Sequence, residues 1–444
     1  MSQSTITPKE LSLEEAVRLF EDGETLILGH GGATPDAVTR ELVRQKDDPA
    51  MKGKHLNLFH LIHPGDQSFL APEMAGYLTS TTMFMSGKPI RQAIAEGRAN
   101  YMPCHFSDLP ALFGTPPLST KGFPRPTVPA DWAVIQVTPP DEKGLCSLGP
   151  SSDFTLPAAR KARRILALMN DQLPYVGGDN FVPFDRIDYF VRTSEPALEV
   201  PVKAPGEMDF AIARFCAPYI PDGATLQAGI GGIPDAVLRL LTDRKDLGVH
   251  TELLTPGVQF LHEKGVITGR LKGHREGKMV GAFAMGDASF YKWMDHNPEV
   301  EMYPVDVANS FREIAANKRM ISINSAVEID LTGQICAEMV GGQMYSGSGG
   351  QVDFVRGAHA SDGGLSIIAL PSTAKGGAIS KIVPILGAGT ALTTLRNDVD
   401  IIVTEYGAAE LRGLTERERA HALISIAHPD HREALERQLP ARLR

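Results

Sequence analysis

Cysteine is scarce here: four residues in 444, at Cys104, Cys146, Cys216 and Cys336, none in CxxC spacing. That excludes a disulfide-stapled secreted scaffold and a thiolate zinc ribbon, and reads as reduced thiols in a cytoplasmic protein. Long apolar runs are also missing. Nowhere does one reach the roughly 18–20 residues a spanning helix needs, and the polar stretch from Met1 to Glu10 has no basic and apolar signal pattern. Basic residues are outnumbered, 44 Lys and Arg against 53 Asp and Glu, for a formal net charge of −9. Nucleic-acid and anionic-membrane partners are therefore not expected, since both need clustered positive charge. Three chemical signatures are absent as well. There is no GxxxxGK[ST] phosphate loop and no GxSxG nucleophile elbow, and the glycine turns lack the third glycine of a dinucleotide fingerprint.

What is present is ordinary globular composition, 43% hydrophobic and 22% charged, in a chain too long for one core. The sequence also repeats itself. DGETLILGHGGATPDAVTREL (22–42) and DGATLQAGIGGIPDAVLRLL (222–241) match at constant spacing through Asp22/Asp222, Gly29/Gly229, Gly31/Gly231 and Gly32/Gly232. After one dropped residue the match resumes with Pro35/Pro234 and Asp36/Asp235. Each copy reads as a buried strand, a glycine turn and an amphipathic helix, one unit of an open α/β fold that binds ligands at strand carboxyl ends.

Further strands are expected at 56–62, 132–137, 164–169, 187–191, 365–369 and 400–403, and helices at 13–21, 90–96, 207–215 and 416–424. Their alternation predicts two similar open α/β domains with largely parallel sheets, 1–200 and 201–444, joined near the Pro/Glu-rich stretch 193–207.

Three segments carry candidate chemistry. LGVHTELLTPG (247–257) puts Glu252 inside a strand-like run, where a carboxylate is costly without partners; a satisfied salt bridge is the alternative. Matching Pro256 with Pro64 sets His60 opposite Glu252. Placed on a strand, His60 and His63 face opposite sides with no carboxylate nearby, so no metal site is expected. YSGSGGQVDF (345–354) offers Gly347, Gly349 and Gly350, a backbone able to approach an anion closely, or else an ordinary loop. PSTAKGG (371–377) adds Lys375, a phosphate partner or a solvated lysine.

Together AGIGGIPDAVL, VHTE, EMYPVDVANS, ISINSAVEIDLTGQI, SGSGGQVDFVRGA, PSTAKGG and RNDVDIIVTEYGAAELRG resemble the acetyl-CoA hydrolase/transferase family. Within it they are similar to the 4-hydroxybutyrate and butyrate:acetate CoA-transferase branch. The resemblance implies an active site between the two domains and a glutamyl-CoA thioester on Glu252. It further implies a coenzyme A segment at Gly229, Ile230, Gly231, Gly232 and Ile233, and a second at Gly347, Gly349 and Gly350. Acyl-CoA and small carboxylates would be the substrates, with no permanently bound cofactor and a homodimeric assembly. A thioester hydrolase using the same residues and a non-catalytic CoA-binding protein are the rival readings. Where relatives carry an Arg-Thr pair before Gly-Asp, this chain has YVGGD (175–179). Met285, Phe290, Tyr291 and Tyr303 are candidates to shape an acyl pocket, or else core residues.

Overall fold

The computed structural model describes residues 7–113, 128–200, 204–229 and 231–443. The chain divides into two compact units, Met1–Pro201 with Val280–Ala308, and Val202–Met279 with Asn309–Arg444. A split into 1–200 and 201–444 would have put Val280–Ala308 in the second unit. It sits in the first because its contacts are there: Ala284 donates to the Pro150 carbonyl, Ser152 donates to Ala282, and Phe283 packs on Phe106.

The first unit is built on eight strands: β1 (Lys9–Glu10), β2 (Thr25–Leu28), β3 (Leu56–Phe59), β4 (Leu78–Thr82), β5 (Ala99–Tyr101), β6 (Trp132–Val137), β7 (Arg164–Asn170) and β8 (Tyr189–Thr193). They lie in the order β1-β8-β7-β6-β2-β3-β4-β5, and every pairing is parallel. A parallel sheet is covered on both faces, so its central strands are buried and predominantly apolar. TLIL in β2 and WAVIQV in β6 are buried at every position.

The second unit carries β9 (Thr225–Ala228), β10 (Gly248–His250), β11 (Met320–Ser325), β12 (Leu365–Ala369), β13 (Ile401–Thr404) and β14 (Gly407–Glu410). Their order is β14-β13-β12-β11-β9-β10, parallel except for the β13–β14 hairpin. The carboxyl ends of β9 to β13 therefore share one edge, and that edge positions the site.

The repeat has a structural counterpart. In the first unit β2 leads through a 3₁₀ turn (Gly31–Ala33) to helix α1 (Asp36–Arg44) and then to β3. In the second, β9 is followed by helix α2 (Gly232–Leu240) and then by β10. Gly31 and Gly231 both have positive φ, +56° and +136°, which side chains rarely adopt, so the matched glycines meet the same backbone need.

The expected strands are present within a few residues at their ends, with one consequence for function. Strand β3 stops at Phe59 and β10 at His250, so His60 and Glu252 follow the strands instead of lying in them. Strand β4 reads LTSTT, too polar to announce itself, and is held by its buried Ser80 and Thr82. No helix among the described residues is long and apolar enough to cross a membrane.

Candidate active site

Glu252 occupies the bend between β10 and the short strand Leu253–Leu254, half-buried at the carboxyl edge of the sheet. Leaving the strand relieves the cost of a charge in a fully buried run and turns the side chain toward the edge where open α/β sheets bind ligands. Its partner is Asn309, fully buried, whose Nδ2 donates to Glu252 Oε2 at 2.7 Å. The same Nδ2 lies 3.5 Å from Asp353 Oδ2, so one amide faces two carboxylates. Only the NH₂ end of the amide suits that position, which fixes its orientation. Asn309 Oδ1 is buried without a hydrogen-bond partner among the described residues.

The third component is the glycine loop. Gly349 has φ of +52°, and Gly350 caps helix α3 (Gln351–Ala360). A Cβ on Gly350 would lie 2.1 Å from Glu252 Oε2 and 2.2 Å from Asn309 Nδ2. The carboxylate thus occupies the space a side chain would take, against the first turn of a ten-residue helix. The positive end of that helix favours a negative charge there, by about 0.3–1 kcal/mol when exposed and more when partly buried. Gly347 precedes these residues and is buried. The loop YSGSGGQVDF is therefore half loop and half helix, Gln351 onward being helical.

The other glycine turn leaves β9, the neighbour of β10, along the same edge. Gly229 donates to the Ile323 carbonyl at 2.9 Å, and a Cβ there would meet Asn324 Oδ1 at 3.2 Å. Gly232 is pressed against Asp209, its Cβ position 2.5 Å from Oδ2. Ile233 is buried at the start of α2. Ile230 lies outside the described residues. Lys375 is exposed on the turn between the short strands Thr373–Ala374 and Ile379–Ser380, with φ of +50°. Glu252, Asn309, Gly350 and Asp353 are drawn together; among the described residues Lys375 makes no hydrogen bond or ion pair with them.

In the first unit His60 and His63 sit just beyond β3, both buried, with ring centroids 6.1 Å apart. His60 Nε2 pairs with Ser80 Oγ, and His63 Nε2 with Thr39 Oγ1 at 3.3 Å. Burial lowers His60 to about 4, and burial with the neighbouring His60 lowers His63 to about 3, so both rings are neutral at pH 7. His30, on the glycine turn, contacts Asp153 at 3.0 Å inside a shell of Phe106, Phe154 and Phe283. Burial alone would raise the Asp153 carboxyl, but His30 and hydrogen bonds from Ser151 and Thr155 outweigh it and hold it low. Phe290 is fully buried, and Tyr291 donates to the Leu198 carbonyl at 2.9 Å, which makes them core residues of this unit. A cavity of about 760 Å³, also in the first unit, is lined by Tyr175, Asp141, Tyr291, Asp295 and His296 among others; of the candidates above it includes Tyr291 but neither Glu252 nor the glycine segments. Tyr175 stacks on His296 at 4.8 Å and donates to Asp141 at 3.0 Å, while Asp179 pairs with Arg160.

Two models of one family match the chain: the acetyl-CoA hydrolase/transferase N-terminal domain over residues 2–202, and the C-terminal domain over 286–439. The chain belongs to the acetyl-CoA hydrolase/transferase family. It is 43% identical over 427 residues to a 4-hydroxybutyrate coenzyme A transferase of Clostridium kluyveri, covering 96% of each chain. It is 43% identical over 434 residues to a succinyl-CoA:acetate/propanoyl-CoA:succinate CoA transferase of Fasciola hepatica, covering 97% of this chain and 87% of that one. A crystal structure of a 4-hydroxybutyrate CoA-transferase from Porphyromonas gingivalis superposes with a TM-score of 0.81 at 40% identity, with 97% of each chain covered. RipA from Yersinia pestis superposes at 0.88 with 35% identity over 97% of this chain and 96% of that one. This member of the acetyl-CoA hydrolase/transferase family is an enzyme, a CoA-transferase.

Asn309 and the helix behind Gly350 escaped sequence reading. The asparagine lies 57 residues from Glu252, and nothing local in VDVANS marks its side chain as the carboxylate's partner. The helix had a readable signal, an apolar period beginning at Val352 directly after a glycine cap.

Proposed function

We propose that this enzyme moves coenzyme A between short-chain carboxylic acids through a covalent intermediate on Glu252. The supporting observation is the half-buried Glu252 carboxylate, held by Asn309 against a helix N-cap that has no room for a Cβ. A glutamate is ionised at neutral pH, and covalent catalysis needs a positioned nucleophile.

One Glu252 oxygen attacks the acyl-CoA carbonyl carbon; the C–S bond breaks and coenzyme A leaves as thiolate with the electron pair. The thiolate then attacks the glutamyl carbonyl of the resulting mixed anhydride, releasing the first carboxylate and leaving a glutamyl-CoA thioester. An acceptor carboxylate runs the two steps in reverse, restoring Glu252 without net proton transfer. Each addition creates an oxyanion, for which backbone N–H groups of the two glycine segments are the proposed donors. The substrates are acyl-CoA and small carboxylates, and the reaction needs no permanently bound cofactor. The relatives at 35–43% identity that span nearly the whole chain are named as CoA-transferases of acetate, butyrate, 4-hydroxybutyrate, succinate and related acids. Members named acetyl-CoA hydrolases, such as that of Kluyveromyces lactis, match at 27%. The proposed assembly is a homodimer, which sedimentation velocity would test.

Incubation with acetyl-CoA alone is expected to add one coenzyme A per active chain, on the peptide containing Glu252, and borohydride is expected to inactivate that species. An adduct on a cysteine, or none at all, would sink the mechanism. Release of thiol at an equal rate with and without added propionate would mark a hydrolase instead.

A further inference from the structure

Leu271 and Lys272 are adjacent, yet the apolar residue is 46% exposed and the lysine 1%. Hydrophobicity would choose the reverse, since lysine is almost never fully buried. The loop enforces the inversion: Gly269, Gly273 and Gly277 all have φ between +65° and +75° and turn the lysine inward. Strand β10 is shaped to receive it. A Cβ on Gly248 would lie 2.3 Å from Lys272 Cγ, so the glycine is the slot through which the stem passes. Beyond the slot, Lys272 Nζ donates to the carbonyls of Val249 at 2.8 Å and Lys278 at 2.7 Å. The backbone of Lys272 is itself fixed, because its carbonyl accepts from Lys318 N at 2.7 Å.

Taking an ammonium out of water is costly even when it finds acceptors. The lysine's return is to be sought in what it holds. Strand β10 is three residues long and pairs with β9 through Gly248 and Val249, after which the chain bends to Glu252. We propose that Lys272 is a positioning residue for the Glu252 nucleophile, its ammonium clamping the backbone at Val249, three residues ahead of the carboxylate. The inference rests on Glu252 as the attacking group.

The test measures the single-turnover rate of coenzyme A attachment to Glu252, by mass spectrometry, in wild type, K272M, E252D and the double variant. Methionine fills the stem's space and removes the donor. K272M is expected to melt somewhat earlier than wild type, because the Val249 and Lys278 carbonyls lose a donor, yet to be fully folded at the assay temperature. It is expected to hold its acyl-CoA KM within about threefold and to attach coenzyme A about 10²-fold more slowly, the cost of a misplacement of about 1 Å. In E252D, whose carboxylate is already withdrawn, the same change is expected to cost less than about threefold, because the two act on one geometry. K272Q, which keeps an amide donor on a shorter stem, is expected to fall between wild type and K272M, and it carries the test if the methionine variant does not fold. Attachment by K272M at the wild-type rate overturns the inference, as does failure of both Lys272 variants to fold, which would assign the lysine to the fold. Absence of an adduct in the wild type refutes the Glu252 mechanism itself and is thereby told apart.

Discussion

Gly350→Ala isolates the geometry of the site from the stability of the fold. Gly350 has φ −98° and ψ 11°, a conformation alanine adopts without strain. Alanine is a poorer N-cap than glycine by roughly 0.5–1 kcal/mol, so global stability is expected to fall by about 1 kcal/mol. The added Cβ, however, would stand 2.1 Å from Glu252 Oε2 and 2.2 Å from Asn309 Nδ2. Ordinary contact begins near 3.4 Å, so the carboxylate must retreat by about 1.3 Å and its 2.7 Å bond to Asn309 is stretched or lost. A displacement of about 1 Å at a reacting group costs on the order of 10²-fold in rate. The assay is kcat for transfer from acetyl-CoA to propionate, beside a urea unfolding curve on the same preparation. A variant within twofold of wild-type kcat would refute the claim that this contact sets the nucleophile; so would a variant that lost turnover only by unfolding.

Asn309→Ala is expected to slow transfer by about 10- to 10²-fold, because hydrogen bonds to charged groups are worth about 1.5–3 kcal/mol; a pre-steady-state burst assay checks it. Gly349→Ala should show the opposite balance to Gly350→Ala, a stability loss of about 1–3 kcal/mol from its φ of +52°, read by urea denaturation. His60 and His63 are lowered from 6.5 to about 4 and about 3, so the unfolded chain binds more protons between those values and pH 6.5. Their contribution is present in full above pH 6.5 and is lost as pH falls toward 4, at up to about 1.4 kcal/mol per unit and histidine. His63→Met is expected to flatten that dependence by close to one proton, measured by urea midpoints from pH 7 to pH 4.5. An unchanged slope would show that His63 is protonated in the native state.

The sequence by itself determined the strand and helix pattern where one face or one run is strongly apolar. WAVIQV, LSIIA and the two copies of strand, glycine turn and helix are local patterns, and local patterns survive in one dimension. It also marked Glu252 as a candidate, because a carboxylate in LGVHTELL is costly without a partner or a task. Only the tertiary structure decided that Glu252 lies past the end of β10, since a strand's last residue depends on where its neighbour stops pairing. The partners of the carboxylate were beyond reach for the same kind of reason. Asn309 and Gly350 meet it from 57 and 98 residues away along the chain, and no periodicity encodes a contact between ends of different strands and helices. Lys272 is the extreme case. Its identity argues for the surface, and only the glycine slot at Gly248 and two carbonyls in the folded chain give a buried ammonium somewhere to be.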